Sequence, residues 1–216
     1  TVFWEHMNLE FEKKTSAQKI INGIVMFLAG ATAGMALNNI LALTTLEEIS
    51  EGYQEVTKIF FAGGILFELL GACLLTPFLE ELLYRGVVYG RLCDLMILNN
   101  EEKTPEGTKR EKQSRMIAMV FSALLFGVLH MNLVQFVYAG ILGILLAWFM
   151  EKAGHFYGAL LAHIGANLIS VLRVETKLFS WMHQNQTIFI ITTIGMLLVS
   201  IVLITIVWLQ NNKNVK

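Results

Sequence analysis

Residues 74–86 read LLTPFLEELLYRG, a run in which two adjacent glutamates and an arginine interrupt one of the most apolar parts of the chain. The 216-residue chain is 55% hydrophobic and only 15% charged, whereas soluble domains carry about 25% charged residues. Its mean hydropathy is +0.59. An ionisable side chain inside a membrane costs roughly 3 kcal/mol or more, so it usually has a partner or a function. The charges of this stretch therefore need an explanation.

The long apolar segments predict an all-α, polytopic membrane protein that folds as one domain over residues 1–216. A spanning helix needs about 20 mostly apolar residues. We predict about seven membrane helices around a central polar cavity, at 20–44, 58–76, 77–98, 115–131, 133–151, 155–173 and 187–209. Pro77 predicts a helix start or a kink. The acidic residues 45–58 predict one loop, and the polar residues 99–115, with Pro105 and Gly107, predict another.

Other features of the sequence narrow the class of protein. Cys73 and Cys93 have neither a disulfide pattern nor a zinc-ligand spacing, so we interpret them as packing residues. A net charge of −1 without a basic face argues against a nucleic-acid partner. Gly30 and Gly34 have the GxxxG spacing that allows helices to approach closely, and we expect this packing within the chain rather than in a dimer.

The EELLYR motif at 80–85 places its two glutamates on different helix faces. Glu81 and Arg85 are four residues apart and can form an ion pair. Glu80 is rotated by about 100° from Glu81, so its carboxylate stays available. The alternative interpretation is a salt bridge at the membrane boundary beside a glutamate that reaches the lipid headgroups.

Two further motifs place polar side chains on other apolar helices. In FGVLH, Phe126 and His130 share a face, and in HIGAN the same holds for His163 and Asn167. Such residues can be hydrogen-bonding residues between helices. If they meet Glu80, the cluster suits water activation by a carboxylate and stabilisation of an oxyanion. Two histidines and a glutamate can also bind zinc, although the HExxH motif is absent.

The three motifs, in this order on separate helices, resemble those of the type II CAAX prenyl endopeptidase and bacteriocin-processing family, abbreviated CPBP or Abi. Its signature is EExxxR, then FxxxH, then HxxxN or HxxxD. The resemblance covers roughly residues 57–172, and no motif position departs from the signature.

The resemblance implies an intramembrane endopeptidase that hydrolyses a peptide bond with a glutamate-activated water. Carried over to this sequence, Glu80 would be the general base and His130 would orient the water. His163 and Asn167 would stabilise the tetrahedral oxyanion.

The resemblance also implies supporting residues and partners. Glu81 and Arg85 would be a supporting pair, and Phe126 would pack near the substrate cleft. We expect no bound metal, with zinc on Glu80, His130 and His163 as the alternative. The expected partners are a membrane-proximal peptide or a lipidated protein and the lipid bilayer, in what we expect to be a bacterial cell membrane.

Two other classes of function fit parts of the sequence. A non-enzymatic immunity or regulatory protein could keep the protease fold, although it would not need all four polar positions. A transporter could relay protons through the same side chains, but no repeat or pair of broken helices supports one. The lysines and arginines near the termini of the helices give conflicting orientations, so the sequence does not fix the side on which the site opens.

Overall fold

The computed structural model describes residues 14–97 and 105–212, and all regular structure in these residues is helical. The all-α prediction is therefore confirmed. Helix α4 is continuous through the segments Ile65–Phe67, Glu68–Leu75, Thr76–Glu81, Leu82–Tyr89 and Gly90–Ile97. The other helices are α1 Ser16–Ala42, α2 Leu46–Ile49, α3 Glu51–Phe60, α5 Pro105–Val128, α6 Leu133–Ala153, α7 Tyr157–Glu175 and α8 Gln186–Asn212, with a short 3₁₀ helix at Ser180–His183.

Four or five spans, rather than seven, are supported by the structure. Among the described residues, α1, α6, α7 and α8 are each long and apolar enough to cross a membrane. A fifth span results if α3 and α4, which are bent by 100° to each other, count as one. The predicted number of seven is not confirmed.

The predicted helix start at Pro77 is wrong, because α4 continues through this residue. Two segments of α4, Glu68–Leu75 and Leu82–Tyr89, are π-helical. A proline breaks a helix partly because one carbonyl loses its N–H donor. Here the side chain of Asn167 donates to the carbonyl of Ala72 at 2.8 Å, and neighbouring helices can satisfy such carbonyls within a membrane.

Both predicted loops contain helix. Residues 45–58 hold α2 and most of α3. The 99–115 prediction is wrong from Pro105 onwards, where α5 begins, while residues 98–104 lie outside the described part of the chain. Proline suits the first helical position because its missing N–H needs no partner there. Further along α5, an ion pair joins Arg115 Nη2 to Glu111 Oε1, four residues apart, at 2.8 Å. Such a pair stabilises the helix.

Glycines join α1 to α7 at very short range. A Cβ atom on Gly30 would lie 1.9 Å from the carbonyl oxygen of Ala162, and one on Gly165 would lie 2.2 Å from that of Phe27. Side chains at these positions would separate the two helices. The predicted close packing therefore occurs within the chain, and it places α7 where His163 faces α4.

The buried core lies mainly between α1, α6 and α7, with α4 and α5 against it. Its large members include Met26, Leu146 and Phe149, and each of these side chains is 0% exposed. Cys73 and Cys93 are both buried free thiols, which agrees with the packing interpretation.

Candidate active site

The predicted ion pair of the EELLYR motif is present and fully buried. Arg85 Nη1 lies 2.9 Å from Glu81 Oε1, and both side chains are 0% exposed. Arg85 Nη2 also donates to the carbonyl of Gly143 at 3.0 Å. The guanidinium thus fixes α4 against α6 and neutralises Glu81.

His163 contacts both glutamates. Its Nδ1 hydrogen-bonds Glu81 Oε1 at 2.8 Å, and its Nε2 lies 3.6 Å from Glu80 Oε2. An ionised carboxylate only accepts hydrogen bonds, so Nδ1 carries the proton and Nε2 is the nitrogen directed to Glu80. The sequence did not indicate the Glu81–His163 contact, because the predicted ion pair with Arg85 already accounted for the charge of Glu81 in an apolar helix.

The end of α5 and the start of α6 hold His130 in place. Its Nδ1 lies 2.7 Å from the carbonyl of Phe126, which makes Nδ1 the protonated nitrogen and leaves Nε2 available. Met131 has a φ of 60°, which turns the chain sharply. Asn132 then caps α6 by accepting from the Gln135 N–H at 2.9 Å and donates to the His130 carbonyl at 3.0 Å. A tight turn at Met131 and Asn132 thus joins α5 to α6.

Phe126 packs at the centre of the three motifs. Its ring is 2% exposed and meets the rings of His130 and His163 edge-on, with centroids 4.9 and 5.6 Å away. The Arg85 guanidinium carbon lies 4.8 Å from the same centroid, a cation–π distance. Phe126 therefore limits the orientations of both imidazoles.

Glu80, His130, His163, Asn167 and Phe126 all line one cavity of about 360 Å³. The three motifs thus meet in space, although they lie on three helices. Glu80 is the more accessible of the two glutamates, with a quarter of its side chain exposed, whereas Glu81 is buried.

Helix α3 forms a wall of this cavity that sequence reasoning missed. Tyr53, Val56 and Phe60 line the cavity within a stretch that also carries Glu51, Glu55 and Lys58. The spacing of 53, 56 and 60 is that of one helix face, so this signal was present. The many glutamates favoured a loop instead.

Asn167 has one defined partner. Its Nδ2 donates to the carbonyl of Ala72 on α4 at 2.8 Å. A carboxamide nitrogen has two hydrogens, so one remains for a group in the cavity.

The site does not fit a metal ion in this arrangement. Zinc binds tetrahedrally to imidazole and carboxylate groups at about 2.0–2.2 Å, but no group of three His, Cys, Asp or Glu side chains in residues 14–97 and 105–212 is arranged to hold one.

A helical bundle of apolar helices with carboxylate, imidazole and amide groups around an internal cavity defines an integral-membrane protein with a buried polar site. A comparison with protein-family models matches residues 62–169, half of the chain, to the type II CAAX prenyl endopeptidase Rce1-like family. The chain belongs to this family, which confirms the resemblance found in the three motifs. No curated protein and no solved structure matches the chain.

Proposed function

We propose that the protein hydrolyses a peptide bond of a membrane-proximal peptide or lipidated protein, using a water molecule activated by Glu80. One observation carries this proposal. Glu80 lines the cavity, and among the described residues its only salt-bridge contact is the long one to His163 Nε2. Its carboxylate is therefore available to water, whereas Glu81 is held by Arg85 and His163.

The proposed reaction begins with a water molecule between Glu80 and His130. Glu80 takes one proton from the water molecule, and the water oxygen attacks the carbonyl carbon of the scissile peptide bond. The tetrahedral oxyanion then collapses, the C–N bond breaks, and Glu80 returns the proton to the departing amine. This is general base catalysis followed by general acid catalysis by one group.

In this mechanism two donors would stabilise the oxyanion. The remaining Nδ2 hydrogen of Asn167 is one. His163 is the other, but its Nδ1 proton is already given to Glu81, so Nε2 donates only when the ring is protonated. Fixed donors in a water-poor site stabilise developing charge strongly.

The cavity walls favour an apolar substrate segment. Leu41, Phe60 and Leu142 line the cavity beside the polar residues. An apolar side chain or a lipid group next to the scissile bond would bury its surface there. In a bacterial cell membrane, a leader peptide or bacteriocin precursor would provide such a segment.

The decisive experiment compares wild type with Glu80→Gln in liposomes, assayed against a library of apolar peptides. We expect cleavage to fall by about 10²–10⁴-fold, the usual contribution of a general base, with little change in thermal stability. Glu68→Gln is the matched control, because Glu68 lies on the same helix and is buried but does not line the cavity. We expect this control to keep its activity.

Full cleavage by Glu80→Gln would overturn the mechanism. Loss of activity with a chelator and recovery with zinc would replace it with metal-dependent hydrolysis. If wild type cleaves no peptide of the library, the non-enzymatic regulatory function becomes the better explanation.

A further inference from the structure

The backbone of α4 loses one hydrogen bond at Pro77. Just before this residue the helix is π-helical, and the N–H of Thr76 donates to the carbonyl of Gly71, five residues earlier. In the same register, residue 77 would donate to Ala72. Proline has no N–H, so the carbonyl of Ala72 lacks the donor that this register requires.

A side chain of another helix supplies that donor. Asn167 Nδ2 on α7 donates to the carbonyl of Ala72 at 2.8 Å, across a separation of 95 residues. Because a carbonyl oxygen only accepts, the amide nitrogen of Asn167 must face it. A carbonyl left without a partner in an apolar helix is strongly unfavourable, so this bond matches a specific need of α4.

The register at this point controls which glutamate faces the cavity. A π-helical turn contains about one residue more than an α-helical turn. A return of the Glu68–Leu75 segment to α-helical geometry would therefore rotate everything after it by about 100°, the rotation of one residue. The same angle separates Glu80 from Glu81, which follow Pro77 by three and four residues.

We propose that Asn167 is a positioning residue that holds the π-helical register at Pro77 and thereby presents Glu80, rather than a neighbouring residue, to the cavity. Its catalytic consequence rests on the proposed function of Glu80. The bond to Ala72 uses one Nδ2 hydrogen, so it is compatible with a second hydrogen bond from Asn167 to the substrate.

A double-mutant cycle tests this role in the full-length protein. In Pro77→Ala, the new N–H can donate to Ala72, which makes the Asn167 bond redundant. We expect Asn167→Ala to lower the melting temperature in detergent by about 2–4 °C when Pro77 is present, as one lost hydrogen bond would do in a chain of this size. With Ala at position 77, we expect half of that shift or less.

The matched control is Asn38→Ala combined with Pro77→Ala. Asn38 Nδ2 donates to Ser170 Oγ at 2.8 Å, so its removal breaks a hydrogen bond between α1 and α7 that does not involve α4. The melting-temperature shifts of Asn38→Ala and Pro77→Ala should therefore add in the double variant. If Asn167→Ala does not accumulate, Asn167→Leu, which also lacks the donor, takes its place in the cycle.

The same variants separate positioning from structural support through kcat and KM. We expect Asn167→Ala to lower kcat about 10²-fold with little change in KM, and Pro77→Ala to restore kcat about tenfold in the double variant. Equal melting shifts for Asn167→Ala in both backgrounds would overturn the inference, as would the absence of any recovery in kcat. If the wild type has no peptidase activity, the melting temperatures alone decide, so failure of the proposed function and failure of this inference are distinguishable.

Discussion

Two clusters of charged side chains among the described residues differ in how completely their hydrogen bonds are made. The distal cluster consists of Tyr89, Glu111, Arg115 and Glu151, on α4, α5 and α6, near the end of α6 away from the cavity. Arg115 Nη1 donates to both carboxylate oxygens of Glu151, at 3.0 and 3.3 Å, and its Nε and Nη2 donate to Glu111. The hydroxyl of Tyr89 donates to Glu151 as well.

The site cluster of Glu80, Glu81, Arg85 and His163 is less complete. Within the described part of the chain, Glu81 Oε2 and Arg85 Nε are buried without a hydrogen-bond partner. The contact of Glu80 with His163 is long, at 3.6 Å. Buried polar groups nearly always have partners, and exceptions often mark functional groups. The comparison indicates that the distal cluster stabilises the fold, whereas the site cluster keeps unpaired polar atoms that the proposed reaction would use.

The largest effect is expected for Glu81→Gln. This change leaves Arg85 as a buried charge without a counter-ion and weakens the hold on His163, so we expect a loss of about 3–5 kcal/mol in the free energy of unfolding together with most of the cleavage. Chemical unfolding in detergent and peptide cleavage measure the two losses.

The double variant Glu81→Gln with Arg85→Met provides the control, since it removes both charges. It should recover much of the stability without recovering cleavage. A Glu81→Gln protein that is as stable as wild type would contradict the difference drawn between the two clusters.

A smaller effect is expected for Glu151→Gln in the distal cluster. The change weakens the hydrogen bonds from Arg115, so we expect a loss of about 1.5–3 kcal/mol in stability. Cleavage per folded molecule should stay at the wild-type level, because Glu151 does not line the cavity. A tenfold fall in cleavage per folded molecule would show that the distal cluster also takes part in the reaction.

The smallest effect is expected for Tyr89→Phe. This removes one hydrogen bond to Glu151, while Arg115 still holds that carboxylate. We expect a loss of about 0.5–1.5 kcal/mol in unfolding free energy, measured by the same unfolding curves. A loss equal to that of Glu151→Gln would mean that the tyrosine, not the arginine, provides most of the stabilisation of the carboxylate.

Contacts within one helix turn were predictable from the sequence, and contacts between helices were not. The Glu81–Arg85 pair follows from a spacing of four residues. The bond between Glu81 and His163 joins residues 82 positions apart, and no periodicity specifies it. The family motifs identified which side chains meet in the cavity, but not which nitrogen of each imidazole faces it.

Two errors in the predicted helices have a common physical cause, because tertiary structure overrode a local signal. A proline such as Pro77 normally ends a helix. Here the side chain of Asn167, 90 residues later, supplies the hydrogen-bond donor that the proline lacks. Charged residues in 45–58 normally favour a loop, yet Tyr53, Val56 and Phe60 become helical by covering the cavity. Pro105 was interpreted as a loop residue although it also suits a helix start.

The glycine contacts between α1 and α7 have a consequence for how this protein can vary. His163 and Asn167 stand on a helix whose opposite side is held in place by the absence of side chains, at Gly30 and Gly165. We therefore expect substitutions at these two positions to be tolerated as poorly as substitutions of the site glutamates and histidines, although glycine has no functional group. Substitutions that reshape the cavity are therefore better tolerated on α3 and α6, because α7 is packed too closely against α1 to shift.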